Sequence, residues 1–298
     1  MLALLVLGVL SQQSAAQETS VDPWQLENVD SVTESAIRAL PGVAAAETRV
    51  SIDQPRHIIV HIKDWHYLAL ESFAADLRAS ADNDITETEM QRLYQQHLRE
   101  VKLVQDEQTK LLRRLIRRHG LRQVYLEGLA EEDLIIFDAK LRVLRRMQDE
   151  LPQWEQELQS AIARRDELAE NERENSTELS EFISKLDAIL TSHRHEMLRI
   201  GAVGRLMIAG ELKTVVPLEE FQSYQNANPL TQGGSLQFNR AAMEKREDAQ
   251  VQRLMQDDVS VVVLGGAHDL SNNLRRLAPG SCRYMTVATR SYARFSED

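Results

Sequence analysis

Two buried strand patterns separated by one long helix pattern restrict the fold of this chain more than any other feature. Residues 57–62 (HIIVHI) form a nearly continuous apolar run rich in β-branched side chains, which is typical of a strand covered on both faces. Thr86 and Glu89 form a capping box that predicts a helix start, and Gly120 marks its end. A second strand pattern follows at residues 123–127 (QVYLE). A strand, a helix and a strand in this order predict a parallel sheet.

The sheet pattern stops after residue 130 and gives way to a helical pattern. Apolar side chains recur every three or four positions over residues 134–168, where Pro152 interrupts the spacing, and again over residues 179–197. The polar segment 171–177 (NERENST) lies between them and predicts a turn. Two helices with narrow apolar stripes and a polar turn predict an antiparallel helical hairpin. A lid, a dimerisation arm and a partner-binding surface remain alternative roles for it.

The other patterns complete a prediction for the whole chain. Strands are expected at residues 213–218, 259–266 and 283–288, helices at 238–256 and 271–277, and a loop at 226–235. We therefore predict an α/β fold with a mostly parallel central sheet flanked by helices and a long inserted antiparallel helical hairpin. The predicted core comprises residues 17–130 and 199–298, and the predicted hairpin insertion comprises residues 131–198.

Residues 1–16 have the pattern of a targeting segment. Residues 2–10 (LALLVLGVL) form an unbroken apolar run, and Ser14 and Ala16 fit a small-x-small cleavage site. No Lys or Arg precedes the run, so a frayed hydrophobic N-terminus is the alternative. The run is shorter than the ~20 helical residues that span a bilayer. We expect an exported protein, periplasmic or secreted, that does not span the membrane.

The charge balance and the cysteine content narrow the function classes. A formal net charge of -11 argues against a general nucleic-acid binder, because such proteins carry a basic surplus. Cys282 is the one cysteine of the chain, so an internal disulfide is excluded. It lies in a β-like run, which predicts a buried and unreactive thiol rather than a nucleophile.

Ionisable side chains follow three of the predicted strands at the point where each strand ends. They are His66, Glu127 and His268, the last of which comes after Gly265 and Gly266. In open parallel sheets ligands bind beyond the carboxyl ends of the strands, so we expect these groups to meet at one edge. A neutral imidazole binds a transition metal or acts as a base, and a carboxylate beside it completes a metal site or orients it. The two glycines are expected to leave N–H groups free toward a ligand. For each of these residues taken alone, a structural role is the alternative to a role in binding or catalysis.

Four short features recur together in one group of proteins. They are GGAHDL after a strand, a strand ending in Glu-Gly, an earlier strand ending in x-x-x-His, and the arginine-bearing helix MEKREDAQVQRLM. In this combination the chain resembles the TraB/Tiki/ChaN/erythromycin-esterase-like superfamily, and GAVGRLMIAGELKTVVPLEE is similar to a segment of bacterial TraB/GumN-like members. The resemblance covers residues 56–127 and 201–289 and leaves the hairpin outside it.

The resemblance implies roles for particular residues. Gly265 to His268 fits the Gly-x-x-His signature of the superfamily, whereas Lys63 stands where the matching signature before His66 has glycine. His66, Glu127 and His268 are implied as ligands of a divalent metal and, together with Arg246, as catalytic residues. Contacts to a cofactor are implied for Asp64, Tyr67, Gly265 and Gly266.

The helix pattern by itself gives Arg246 a different role. Arg246, Gln250 and Arg253 fall on one polar stripe of the predicted helix 238–256. Without the resemblance, this spacing predicts a solvated helix surface, so Arg246 has two competing interpretations.

Three function hypotheses follow. The leading one is an extracytoplasmic hydrolase of the Tiki/erythromycin-esterase-like type, acting on a small-molecule or peptide substrate. In it His66 and His268 bind a divalent metal or one of them acts as a base, Glu127 is a ligand or acid/base, and Arg246 stabilises the developing anion. The alternative is a haem- or iron-binding periplasmic uptake protein of the ChaN type, with a histidine or Tyr67 on the haem iron. In the third, the strand-end groups are structural and the hairpin binds a partner or a second copy in a homo-oligomer.

Overall fold

A six-stranded sheet forms the centre of the protein, in a computed structural model that describes residues 24–80, 85–168, 176–227 and 239–297. The strand order is β1-β6-β2-β5-β3-β4. The strands are β1 (Val43–Val50), β2 (His57–Asp64), β3 (Gln123–Ala130), β4 (Thr214–Glu219), β5 (Val259–Gly265) and β6 (Cys282–Thr289). All neighbouring pairs are parallel except β1 and β6, which pair antiparallel at one edge. The predicted mostly parallel sheet is confirmed.

Helices surround this sheet and are numbered in chain order. They are α1 (Glu34–Arg38), α2 (Leu70–Ser80), α3 (Glu87–His119), α4 (Leu134–Glu167), α5 (Thr177–Arg199), α6 (Gly201–Ile208), α7 (Phe221–Ala227), α8 (Arg240–Leu254), α9 (Ser271–Leu277) and α10 (Arg290–Phe295). Short 3-10 turns lie at Val29–Ser31 and Glu131–Asp133. None of the helices in the described ranges has both the length and the apolar content needed to cross a membrane.

The long helix α3 begins and ends as its sequence predicts. The hydroxyl of Thr86 accepts the Glu89 N–H at 3.3 Å, and Gly120 closes the helix in the left-handed conformation with a φ of 73°. Leu111, Leu112 and Leu115 bury one face of α3 against the sheet. Apolar spacing therefore fixes which face of α3 points inward.

The sheet carries a core on each face, which explains the continuous apolar runs of its central strands. On one face Ile58 and Ile62 pack with α3 and α6. On the other face Ile59, Val262 and Leu264 pack with α8 and α9. Burying alternate side chains of β2 in opposite layers accounts for the absence of a polar face in its sequence. The flanking of the sheet by helices on both sides is confirmed.

Helices α4 and α5 form the predicted antiparallel hairpin. Leu158 of α4 packs with Leu186 and Leu190 of α5, while Lys140 pairs with Glu196 at the other end of the same two helices. Helix α4 runs through Pro152 without ending there, contrary to the interruption that the spacing suggests. Residues 171–175 of the predicted turn lie outside the described residues, as do residues 228–238 and the signal-like residues 1–16.

Several short elements have no counterpart in the sequence patterns. The edge strand β1 (VAAAETRV) contains three alanines and three polar residues, and only Ala46 within it is buried, so it lacks the apolar run that marks the inner strands. Helices α2, α7 and α10 have 11, 7 and 6 residues, too short for a repeating apolar stripe to stand out. The strand order places β5 between β2 and β3, so the carboxyl ends of these three strands are adjacent.

Candidate functional site

The three strand-end groups meet at one edge of the sheet, as their positions in the sequence predict. Asp64 ends β2 and His66 follows it, Gly265 ends β5 and leads to His268, and Glu127 lies in β3 before Gly128. Gly128 has a φ of 74°, a left-handed conformation that suits glycine and bends the chain directly after the carboxylate. Because β5 lies between β2 and β3, the residues at the carboxyl ends of these three strands are brought together.

The carboxylate of Glu127 is the centre of the cluster. Its Oε2 accepts the Gly265 N–H at 2.6 Å and lies 3.1 Å from His66 Nε2. Its Oε1 accepts from Arg246 Nη2 at 2.9 Å and lies 3.2 Å from His268 Nε2. Burial opposes its charge, but the two imidazoles outweigh this effect and hold the pKa of Glu127 well below its usual range. Glu127 is therefore an anion with both oxygens engaged.

His66 is the accessible member of the cluster. Its side chain is 49% exposed, and its Nδ1 lies 3.3 Å from Asp64 Oδ2. Burial of the ring opposes its charge, but Glu127 and Asp64 raise the pKa of His66 well above its ordinary value. The Nε2 atom stands so close to Gly265 that a Cβ at that position would overlap it. The lack of a side chain at Gly265 thus allows the imidazole to reach Glu127.

His268 lies deeper and has a second carboxylate as its partner. Its side chain is 12% exposed, and its Nδ1 lies 3.1 Å from an oxygen of Glu247 on α8. Burial lowers the pKa of the ring, but hydrogen bonds to Glu127 and Glu247 raise it to about 9. Both histidines of the cluster therefore carry a proton on each nitrogen at neutral pH, one facing Glu127 and one facing another carboxylate.

The interpretation of Arg246 as a solvated helix residue is wrong. Its guanidinium binds the fully buried Glu219 through Nε at 3.0 Å and Nη2 at 2.6 Å, in addition to Glu127. Gln250, one helical turn further, donates to the same carboxylate at 3.1 Å. Burial lowers the pKa of Arg246, but the two carboxylates raise it above its ordinary value. Of the predicted polar stripe, Arg253 pairs with an exposed carboxylate, whereas Arg246 and Gln250 point into the protein.

The backbone N–H groups of the two glycines are used within the protein, contrary to the expectation that they face a ligand. The Gly265 N–H binds Glu127, and the Gly266 N–H donates to the Asp64 carbonyl at 3.1 Å. A Cβ at Gly266 would overlap the hydroxyl of Tyr292. Both glycines therefore allow close approach of neighbouring groups, which is a different physical reason for their presence.

Two cavities meet at His66 and Asp64. One has a volume of about 690 Å³ and extends past Trp65 and His268. The other has a volume of about 230 Å³ and lies toward the base of the hairpin. Tyr67 lines this smaller cavity, and its hydroxyl lies 3.4 Å from His195 Nδ1. A space of this size is below the ~300–1,000 Å³ of typical ligand cavities. Haem binding at Tyr67 stays a prediction.

Three functional neighbours were not predicted from the sequence. Glu219 is the last residue of β4. Its carboxylate binds Arg246 and accepts the Gly128 N–H at 3.1 Å. Glu247 orients His268, and Gln108 of α3 donates to Asp64 Oδ1 at 2.9 Å. The rule that identified Glu127 also applies to Glu219, since both are glutamates at the carboxyl end of a parallel strand.

The side chains of the cluster do not have the arrangement that a resident divalent metal requires. Each imidazole points one nitrogen at Glu127 and the other at a second carboxylate, so neither presents a free lone pair, and the Glu127 oxygens already accept four donors. Within residues 24–80, 85–168, 176–227 and 239–297, no group of three or more His, Cys, Asp or Glu side chains has metal-binding geometry. The divalent metal stays a prediction.

Comparisons with protein-family models, with curated proteins and with solved structures gave no match. The relationship to the TraB/Tiki/ChaN/erythromycin-esterase-like superfamily therefore stays a prediction that rests on short motifs. Any function of this protein therefore rests on the chemistry of the site itself.

Proposed function

We propose that the protein is a hydrolase of small esters or amides in which His66 and Asp64 transfer the protons. One observation carries the proposal: a half-exposed imidazole, held by two carboxylates, stands where two cavities meet. Both His66 and Asp64 line both cavities. A substrate bound across the two cavities would place its scissile bond beside this pair.

Hydrolysis requires a base for the attacking water and an acid for the leaving group, and the pair offers both. The water oxygen bonds to the carbonyl carbon while its proton passes to an Asp64 oxygen. The carbon–oxygen or carbon–nitrogen bond then breaks while the leaving group takes a proton from His66 Nδ1. The contact of 3.3 Å between Asp64 Oδ2 and His66 Nδ1 provides the path by which the proton returns. The products are a carboxylic acid and an alcohol or amine, and the pair is restored.

The buried members of the cluster act as positioning residues in this proposal. Glu127 fixes the ring of His66 and keeps it protonated, so that it is an acid at neutral pH. Arg246 and His268 hold Glu127 in place, and Glu219 holds Arg246. The export expected from residues 1–16 would place the reaction outside the cytoplasm.

The test compares two histidines of the same strand region. We would measure hydrolysis of p-nitrophenyl esters and amino-acid p-nitroanilides by wild-type protein, His66→Gln and the control His57→Gln. His57 lies at the amino end of β2, whereas His66 follows its carboxyl end. The Nδ1 of His57 lies 3.0 Å from the Asp257 carbonyl oxygen. Loss of a proton-transfer group lowers kcat/KM by roughly 10²–10⁴-fold, so we expect that loss in His66→Gln alone.

The same samples address the alternatives. Full activity in His66→Gln, or no hydrolysis of either substrate class by the wild-type protein, would refute the proposal. Metal analysis of the wild-type protein and of His268→Gln tests the predicted divalent metal. A strong absorption band on addition of haem to a hydrolytically inactive wild-type protein would favour the binding hypothesis instead.

A further inference from the structure

The larger cavity beside His66 has mostly apolar walls. Helices α2 and α3, the segment after β2, the turn after β5 and helix α10 enclose it. Its apolar and aromatic lining consists of Trp65, Leu68, Phe73, Leu77, Leu93, Ala267 and Tyr292. A cavity of about 690 Å³ lies within the ~300–1,000 Å³ range typical of small-molecule sites. Its walls therefore suit an apolar group of substantial size.

The aromatic walls are fixed by contacts among themselves. Trp65 meets the ring of Tyr292 edge-on with their centroids 5.9 Å apart. Phe73 stacks on His97 with their centroids 5.2 Å apart, and His97 accepts the Leu68 N–H at 3.3 Å. These contacts keep the segment after β2 in place, so the cavity wall is organised by the fold.

The charged groups that line this cavity fall into two sets. His66, His268 and Asp64 belong to the cluster around Glu127, and the other charged lining residues are the carboxylates Asp76 and Glu100. Carboxylates elsewhere in the lining disfavour an anionic group in the body of the cavity. The smaller cavity differs, because Lys140, Arg199 and Gln105 contribute to its walls.

We infer that the substrate joins an uncharged apolar group, bound in the larger cavity, to a small polar group on the other side of the scissile bond. The inference rests on the proposed hydrolytic function and names its substrate class. Burial of apolar surface supplies the binding energy in the larger cavity. The smaller cavity has room for only a small second half of the substrate.

Two ester series test this substrate class. One is p-nitrophenyl acetate, butyrate, hexanoate and octanoate, and the other is methyl, butyl and hexyl acetate. Each methylene buried contributes ~0.8 kcal/mol, which corresponds to about a fourfold gain in kcat/KM. We expect a gain of about tenfold or more along one series, because an open cavity buries a chain only in part. Chain-length independence in both series would overturn the inference.

A matched pair of variants tests whether the gain in kcat/KM with chain length comes from this cavity. Leu93 lines the cavity from α3, whereas Leu103 of the same helix is 45% exposed and does not line it. Both are replaced by glutamine, which has nearly the helix propensity of leucine. We expect Leu93→Gln to lose the chain-length preference and Leu103→Gln to keep it. Leu77→Gln, on α2, serves as a second cavity variant if Leu93→Gln fails to fold.

Binding of 1-octanol, which is uncharged and cannot be hydrolysed, separates the failure of this inference from the failure of the proposed function. Trp65 lines the cavity, so its fluorescence reports occupancy without any turnover. Binding of 1-octanol that is weakened in Leu93→Gln and unchanged in Leu103→Gln supports an apolar site even if no ester is hydrolysed. Hydrolysis without chain-length preference and without 1-octanol binding retains the proposed function and refutes the apolar site.

Discussion

Replacement of Glu219 by glutamine is expected to destabilise the whole protein, although the side chain keeps its shape. Glu219 is fully buried and accepts hydrogen bonds from Arg246, Gln250 and the Gly128 N–H. The amide of glutamine removes the negative charge and puts an NH₂ group among these donors. Arg246 is then left in the interior with Glu127 as its remaining ion-pair partner.

The size of the effect follows from burial. Breaking a buried ion pair by changing one partner costs roughly 3–5 kcal/mol where the other charge is left in the interior without compensation. Because Arg246 keeps Glu127 as a partner, the lower end of that range applies. An exposed pair is worth about 0–1 kcal/mol. Glu131 provides the exposed case in this protein, since its side chain is 65% exposed and pairs with Arg253 at 2.9 Å. We expect Glu219→Gln to lose about 3 kcal/mol and Glu131→Gln to lose less than about 1 kcal/mol.

Equilibrium unfolding in urea, followed by circular dichroism, measures both free energies. If Glu219→Gln lowers the urea concentration at the midpoint but leaves the dependence of the unfolding free energy on urea unchanged, the replacement has changed the stability of the folded protein rather than the unfolded state. If Glu219→Gln and Glu131→Gln differ by less than about 1 kcal/mol, the reasoning that Arg246 depends on Glu219 for its charge compensation is refuted.

Three further predictions concern the cluster and the cysteine. Gly265→Ala places a Cβ where His66 Nε2 stands and turns this half-exposed ring away from Glu127, so we expect the hydrolytic activity to be lost with a change of less than about 1 kcal/mol in urea unfolding. Wild-type activity in this variant would contradict the geometry. The pKa of His268 is about 9 in the folded protein and ~6.5 in the unfolded chain, so its protonated form stabilises the fold by about 3 kcal/mol below pH ~6.5. This contribution is lost as pH rises through about 9, and His268→Gln should flatten this part of a profile of unfolding free energy against pH. Burial raises the pKa of Cys282 to about 12, so a thiol reagent should react with it only in urea, and rapid labelling of the folded protein would disprove this.

The inner strands and the long helices were predictable because their signals are local. The apolar run of β2 and the capping box of α3 depend on neighbouring residues alone, and both are as expected in the structure. The hairpin was predictable for the same reason, from the repeat of apolar positions along α4 and α5. Strand β1 was not, because it is held by pairing with β6 at the other end of the chain rather than by its own apolar content.

The site was predictable in position but less so in its partners. The rule on strand ends brought His66, Glu127 and His268 together without knowledge of the tertiary structure. The burial of Arg246 could not follow from its helix, because its partner Glu127 lies 119 positions away in the sequence. The spacing of α8 shows which residues share a stripe, but not whether that stripe faces water or a buried glutamate.

The pairing of β1 with β6 and of β2 with both β5 and β6 has a consequence for the order in which the chain folds. Residues 43–50 pair with residues 284–289, so within the described ranges the first strand in chain order is completed by the last one. Such distant pairings raise the contact order and slow folding, since long loops must close before these contacts form. During synthesis β2 has no sheet neighbour until β5 has been made. A chain that ends before Cys282 would leave an edge of β2 unpaired and open to association with other chains.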